Sequence, residues 1–124
     1  MRTLTSFLFT GEITFAAPAE TTGVNQPVAE IVTFRLVDDA DVSTFLDAAT
    51  GMHPFLKSTG AMIARTLSRD EDGLWTDHIV WKSMTAAKEA ADAMMTQPEA
   101  KPFMALIAPD GVQMRHAHIR LQQE

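Results

Sequence analysis

The chain contains no cysteine, which excludes a disulfide framework and thiolate chemistry and fits a cytoplasmic protein. Basic residues are also scarce. Ten Lys and Arg against sixteen Asp and Glu leave a formal charge of −6, the reverse of the basic stripe that a nucleic-acid surface requires. No apolar run approaches the roughly 20 residues of a membrane-spanning helix. Neither nucleic acid nor membrane is therefore an expected partner. Against these absences stand 124 residues, 46% of them hydrophobic and 21% charged, the composition of a single globular domain with one core.

Residues 1–27 form an arm and linker ahead of a domain over residues 28–124. Phe7, Leu8, Phe9 and Phe15 sit among β-branched residues, which predicts a strand or loose hairpin. The short apolar stretch is cut by Gly11-Glu12, so a secretory leader is the weaker reading. Residues 16–27 carry Pro, Gly, Thr and Asn and read as a loop.

A first strand is predicted over residues 28–37, with Val28, Val32, Phe34 and Leu36 on one face and Glu30 as the exception. Acidic N-cap candidates follow at residues 38–41. Val42, Phe45, Leu46, Ala49, Met52, His53 and Leu56 then recur at helical spacing, and Pro54 must kink or split that helix. Strands over residues 62–68 and 74–82 flank the turn Arg69-Asp-Glu-Asp-Gly73. Ser83 caps a second helix with a stripe of Met84, Ala87, Ala91 and Met94, a short helical turn follows at residues 101–107, and a last strand spans residues 112–121. The order β-α-β-β-α-β gives an α+β, ferredoxin-like fold with an antiparallel four-stranded sheet. Two helices cover one face of such a sheet. The other still holds Ile31 and Val80, so a homodimer joined sheet to sheet is expected.

The segments VAEIVTFRL, MHPFLKSTG, LSRDEDGLWTDHIVW and PEAKPFMALI, followed by VQMRHAHI, resemble the dimeric α+β barrel superfamily and, within it, the antibiotic-biosynthesis-monooxygenase-like domains. The resemblance covers the chain except its N-terminal arm and is specific for fold rather than activity. It implies a dimeric α+β barrel and a range of roles that includes cofactor-free oxygenases, haem-degrading enzymes, isomerases and proteins without a known reaction. Haem-degrading members pair an Asn on the first strand with a helix His and a strand Trp. Here the first strand has no Asn and the second helix no His, so haem is not expected and no cofactor is assigned.

Several residues carry candidate chemistry. His53 falls on the apolar helix face beside Pro54. It suits a general base, or else it serves the backbone carbonyl that Pro54 leaves free. His78 is an alternative base. Arg65 and Arg35 lie in strands and suit an oxyanion or carboxylate, although an ion pair at the sheet rim is the simpler reading. Trp81, Phe103, Phe55, Met94 and Met114 would line a pocket for a flat hydrophobic ligand, or simply fill the core. His116 and His118 share a strand face. A metal there needs a further ligand such as His78, so no metal site is assigned. The Asp70-Glu71-Asp72 run reads as a solvated turn. The resemblance points to a cofactor-independent, monooxygenase-like protein acting on a small aromatic or polyketide-type substrate. In that reading His53 or His78 removes a phenolic proton, Arg65 steadies the negative charge, and Trp81 with Phe103 holds the ring. The rival readings are a non-enzymatic ligand-binding or stress-response homodimer, and a homodimer whose pocket is filled by its own side chains.

Overall fold

The computed structural model describes residues 26–124; the strand or hairpin expected in the arm lies outside the described residues. The elements run β1 Val28–Phe34, α1 Val42–Gly51, α2 His53–Ser58, β2 Met62–Arg69, β3 Trp75–Trp81, α3 Met84–Met94, α4 Ala100–Ala105 and β4 Gln113–His118. The sheet has the order β2-β3-β1-β4, and every neighbouring pair is antiparallel. This is the expected α+β arrangement. Among the described residues no helix is long and apolar enough to cross a membrane.

Local chemistry accounts for the boundaries. Asp41 caps α1 by accepting the Thr44 N–H at 2.9 Å and its hydroxyl at 2.8 Å, and these bonds hold its carboxyl below the usual range. Ser83 caps α3 through the Ala86 N–H. In the β2–β3 turn, Asp70 Oδ1 accepts the N–H groups of Asp72 and Leu74, both at 2.9 Å. Gly73 takes the positive φ of 87° that a side chain would oppose. The acidic turn is thus an organised Asx-type structure rather than only a solvated loop. Arg35, a candidate oxyanion donor by sequence, instead gives Nη1 to the Asp72 carbonyl at 2.6 Å.

Three strands are shorter than expected, β3 by one residue at each end. β1 stops at Phe34, after which the Val37 N–H bonds the Leu106 carbonyl and the Ala108 N–H bonds the Arg35 carbonyl. The chain there has left β1's neighbours to pair with the exit of α4. β4 stops at His118.

Val28, Glu30, Val32 and Phe34 share a sheet face with Trp75, Asp77, Ile79 and Trp81 through the β1–β3 register. The core joins the apolar members of this face to Phe45, Ala49, Met52, Phe55, Leu56, Ala87, Ala90, Ala100 and Phe103, so α1, α2, α3 and α4 all cover this side. Phe45 sits at its centre, stacked on Phe103 at 5.3 Å between centroids and edge-on to Trp75 at 5.0 Å and Phe34 at 5.8 Å. In α3 the fully buried positions are Ala87 and Ala90; Met84 and Met94 pack at the margin of the core. The second sheet face is apolar only along its centre. Ala29 and Val80 are buried and Ile31 and His78 half-buried, while Thr66, Ser68, Gln113 and Arg115 on the outer strands are exposed.

Candidate functional site

Besides the exposed Arg69 and His118, the helix face of the sheet takes one buried or half-buried titratable side chain from each strand: Arg65 on β2, Asp77 on β3, Glu30 on β1 and His116 on β4. They fall into two groups.

The first is built around Arg65. Its Nε and Nη2 donate to the two oxygens of Asp77 at 2.9 and 2.7 Å, and Nη1 donates to the Ala49 carbonyl at 2.9 Å. The guanidinium carbon lies 5.5 Å from the centre of the Phe103 ring. Only 15% of the Arg65 side chain and 8% of that of Asp77 are exposed. The ion pair foreseen at the sheet rim is therefore placed between sheet and helices, bidentate and largely desolvated. It also completes the helix break. Pro54 splits the segment into α1 and α2, and Arg65 brings a cation to the carbonyl end of α1, where the helix dipole favours it.

That break moves His53. Met52 takes the buried position after Ala49 and is 1% exposed, which turns His53, the first residue of α2, outward into an exposed position. His53 therefore does not project into the space between helices and sheet. It stands beside an open cleft of about 350 Å³ lined by Leu46, Ala49, Thr50, His53, Arg65 and Leu67. Leu46, 43% exposed, and Leu67 give the cleft apolar walls. Among the described residues three of the five guanidinium N–H groups meet protein acceptors, leaving one each on Nη1 and Nη2.

The second group surrounds Glu30, the exception on the apolar face of β1. It is 6% exposed. Its Oε1 accepts the Trp81 indole N–H at 2.7 Å, and its Oε2 lies 3.9 Å from His116 Nε2, a buried nitrogen without a hydrogen-bond partner among the described residues. Burial pushes the Glu30 carboxyl above its ordinary value. The Trp81 bond and His116 act against that shift, and the negative charge of Asp77 adds to it. The folded state thus holds this proton more tightly than the unfolded chain. Glu30 contributes stability below 4.5, its ordinary value, and loses it as pH rises through the raised native value. Glu30→Gln keeps an acceptor for Trp81 and removes the charge. It should raise stability at pH 7 by about 1 kcal/mol, or ~4–8 °C in Tm, with the gain vanishing below pH 4.5. Thermal melts of both proteins at pH 7 and pH 4 check this; an equal gain at both values would remove the charge as its cause.

The remaining candidates are dispersed. Trp81, Phe103 and Phe55 are 1%, 5% and 7% exposed; they are core and do not line the cleft, so the proposed ring clamp of Trp81 and Phe103 is not formed. Met94 packs against the core from α3. Met114 is exposed on β4 beside a second cleft of about 450 Å³ with Ile31, Thr33, Gln113 and Arg115. His78 lies on the second sheet face, paired with Ile31 and Thr66, so within one chain the sheet separates it from His53. It is likewise on the wrong face to join His116 and His118, and among the described residues no three His, Cys, Asp or Glu form a group that could hold a metal. Glu30 and Asp77 were missed as site residues. The signal was present, since a carboxylate at an apolar-phase strand position is costly unless paired.

This arrangement of helices on one antiparallel sheet is the antibiotic biosynthesis monooxygenase domain fold. A cofactor-independent oxygenase from Streptomyces nogalater superposes with a TM-score of 0.56 at 18% identity, covering 80% of this chain and 96% of its own. Two provisionally assigned antibiotic biosynthesis monooxygenases do likewise. The protein from Bordetella bronchiseptica has a TM-score of 0.61 at 16% identity and covers 77% of this chain and 99% of its own. For that from Caulobacter crescentus the values are 0.64, 11%, 84% and 99%. No family model matches the sequence, nor does any curated protein.

Proposed function

We propose that the cleft beside Arg65 binds a small, flat, hydroxylated aromatic molecule and supports its cofactor-independent oxygenation. The observation that carries this reading is the pinned guanidinium: Arg65 lines a cleft with apolar walls and a histidine at its edge, and two of its N–H groups have no acceptor among the described residues. Leu46 and Leu67 take the ring, Arg65 donates to the ring oxygen, and His53 accepts its proton and returns it to solvent. The resulting phenolate gives one electron to O₂. The aryloxyl radical and superoxide combine at a ring carbon that bears a hydrogen, the peroxide anion takes a proton from solvent, and loss of water from the resulting hydroperoxide leaves a carbonyl. Phenol and O₂ thus become quinone and water, with one atom of O₂ in each product.

The test is oxygen uptake with a panel of phenols and quinols, comparing wild type with His53→Ala. A general base at this position is worth about 10²–10⁴-fold in rate, and because His53 is exposed its replacement should leave Tm unchanged. Unaltered turnover in His53→Ala would remove it from the mechanism. Binding without oxygen uptake would assign the cleft to ligand binding alone.

The same reading includes a homodimer. Ala29, Ile31 and Val80 give the second sheet face an apolar centre, which a partner sheet would cover. Light scattering at micromolar concentration should give twice the 13.6 kDa chain mass. A 13.6 kDa particle would sink the dimer.

A further inference from the structure

We infer that Asp77 sets the charge class of the ligand, so that the cleft accepts neutral hydroxyaromatics and rejects aromatic carboxylates and phosphates. This rests on the reading of the Arg65 cleft as a binding site.

An arginine in an apolar cleft ordinarily invites an anion. Here the positive charge is already paired, which leaves two N–H donors for an oxygen whose charge develops only after binding but no net charge to draw in an anion. Both carboxylate oxygens of Asp77 lie within 2.9 Å of guanidinium nitrogens, and the third bonded nitrogen meets a carbonyl at the negative end of α1. A carboxylate entering the cleft would meet a neutral pair and a helix terminus of its own sign, while losing its hydration. Two further observations agree. The negative charge of Asp77 is felt beyond Arg65, since it contributes to the upward shift of the Glu30 carboxyl. The chain as a whole carries a formal charge of −6, which opposes the approach of anions. A neutral phenol or ketone oxygen has none of these penalties. It needs only the two remaining N–H donors, which Asp77 also aims by fixing the plane of the guanidinium. Asp77 is in this sense a positioning and specificity residue, acting on the ligand through Arg65.

The probes are 2-naphthol and 2-naphthoate, matched in ring and opposite in charge class, since at pH 7 a phenol is neutral and a carboxylate ionised. Equilibrium dialysis against the full chain at low ionic strength should show 2-naphthol binding at least ~10-fold more tightly than 2-naphthoate, the scale of one unfavourable charge contact. In Asp77→Asn the uncompensated guanidinium should raise 2-naphthoate affinity by about 10-fold and reverse the preference. Leu46→Trp, which fills the cleft from its exposed wall, should abolish binding of both. Wild-type protein that binds 2-naphthoate as tightly as 2-naphthol overturns the inference and leaves the cleft reading standing, and this comparison requires no variant. Absence of binding by either probe, or binding that survives Leu46→Trp, overturns the cleft reading and the inference with it.

Discussion

Arg65→Met should destabilise the domain by about 3–5 kcal/mol at neutral pH and abolish ligand binding in the cleft. Met keeps much of the apolar stem but supplies none of the three hydrogen bonds that Arg65 makes to Asp77 and Ala49. The loss comes mainly from what remains. The Asp77 side chain, 8% exposed, becomes a buried carboxylate facing no cation, and the end of α1 loses the donor at Ala49. Against a total of ~5–15 kcal/mol for a domain of this kind, such a loss leaves little margin. Removing both partners should cost much less than removing one, because a buried pair replaced by apolar groups of similar shape is close to neutral. Urea melts of wild type, Arg65→Met and Arg65→Met/Asp77→Leu separate these contributions. A double variant no more stable than the single one would mean that the unpaired carboxylate is not the source of the loss.

Phe45→Ala tests the core in the same way and should cost about 3–5 kcal/mol. Phe45 has no exposed surface and contacts Phe34, Trp75 and Phe103 within one aromatic cluster. Its ring joins α1 to the sheet and to α4. Truncation leaves a cavity that three rings held by separate elements cannot collapse to fill. The comparison is Leu46→Ala on the same helix, where the side chain is 43% exposed and the expected change lies within about 0.5–1 kcal/mol. Equal losses at the two positions would show that α1 is not oriented as described. The pair also separates packing from binding, since Leu46→Ala alters a cleft wall without reaching the aromatic cluster.

The two substitutions correspond to two kinds of information in the chain. Element order, the caps Asp41 and Ser83, the turn at Gly73 and the break at Pro54 were legible because each depends on residues within a few positions of one another. So was the antiparallel α+β class, which follows from the alternation of strand and helix periods. The sequence also marked Glu30 as an anomaly on its strand face. The site itself was not legible. Its central contact joins Arg65 to Asp77 twelve positions away and to the Ala49 carbonyl sixteen away, and strand register, which local patterns do not specify, decides whether they meet. Register likewise put His78 across the sheet from His53. Helical phase carried across Pro54 as if the helix were continuous placed His53 inside; the split gave that place to Met52. The sequence by itself therefore determined the kind of fold and most of its core, through short-range propensity and periodicity. Only the tertiary structure decided which polar groups share the buried face, because burial and pairing of charge depend on contacts between distant segments.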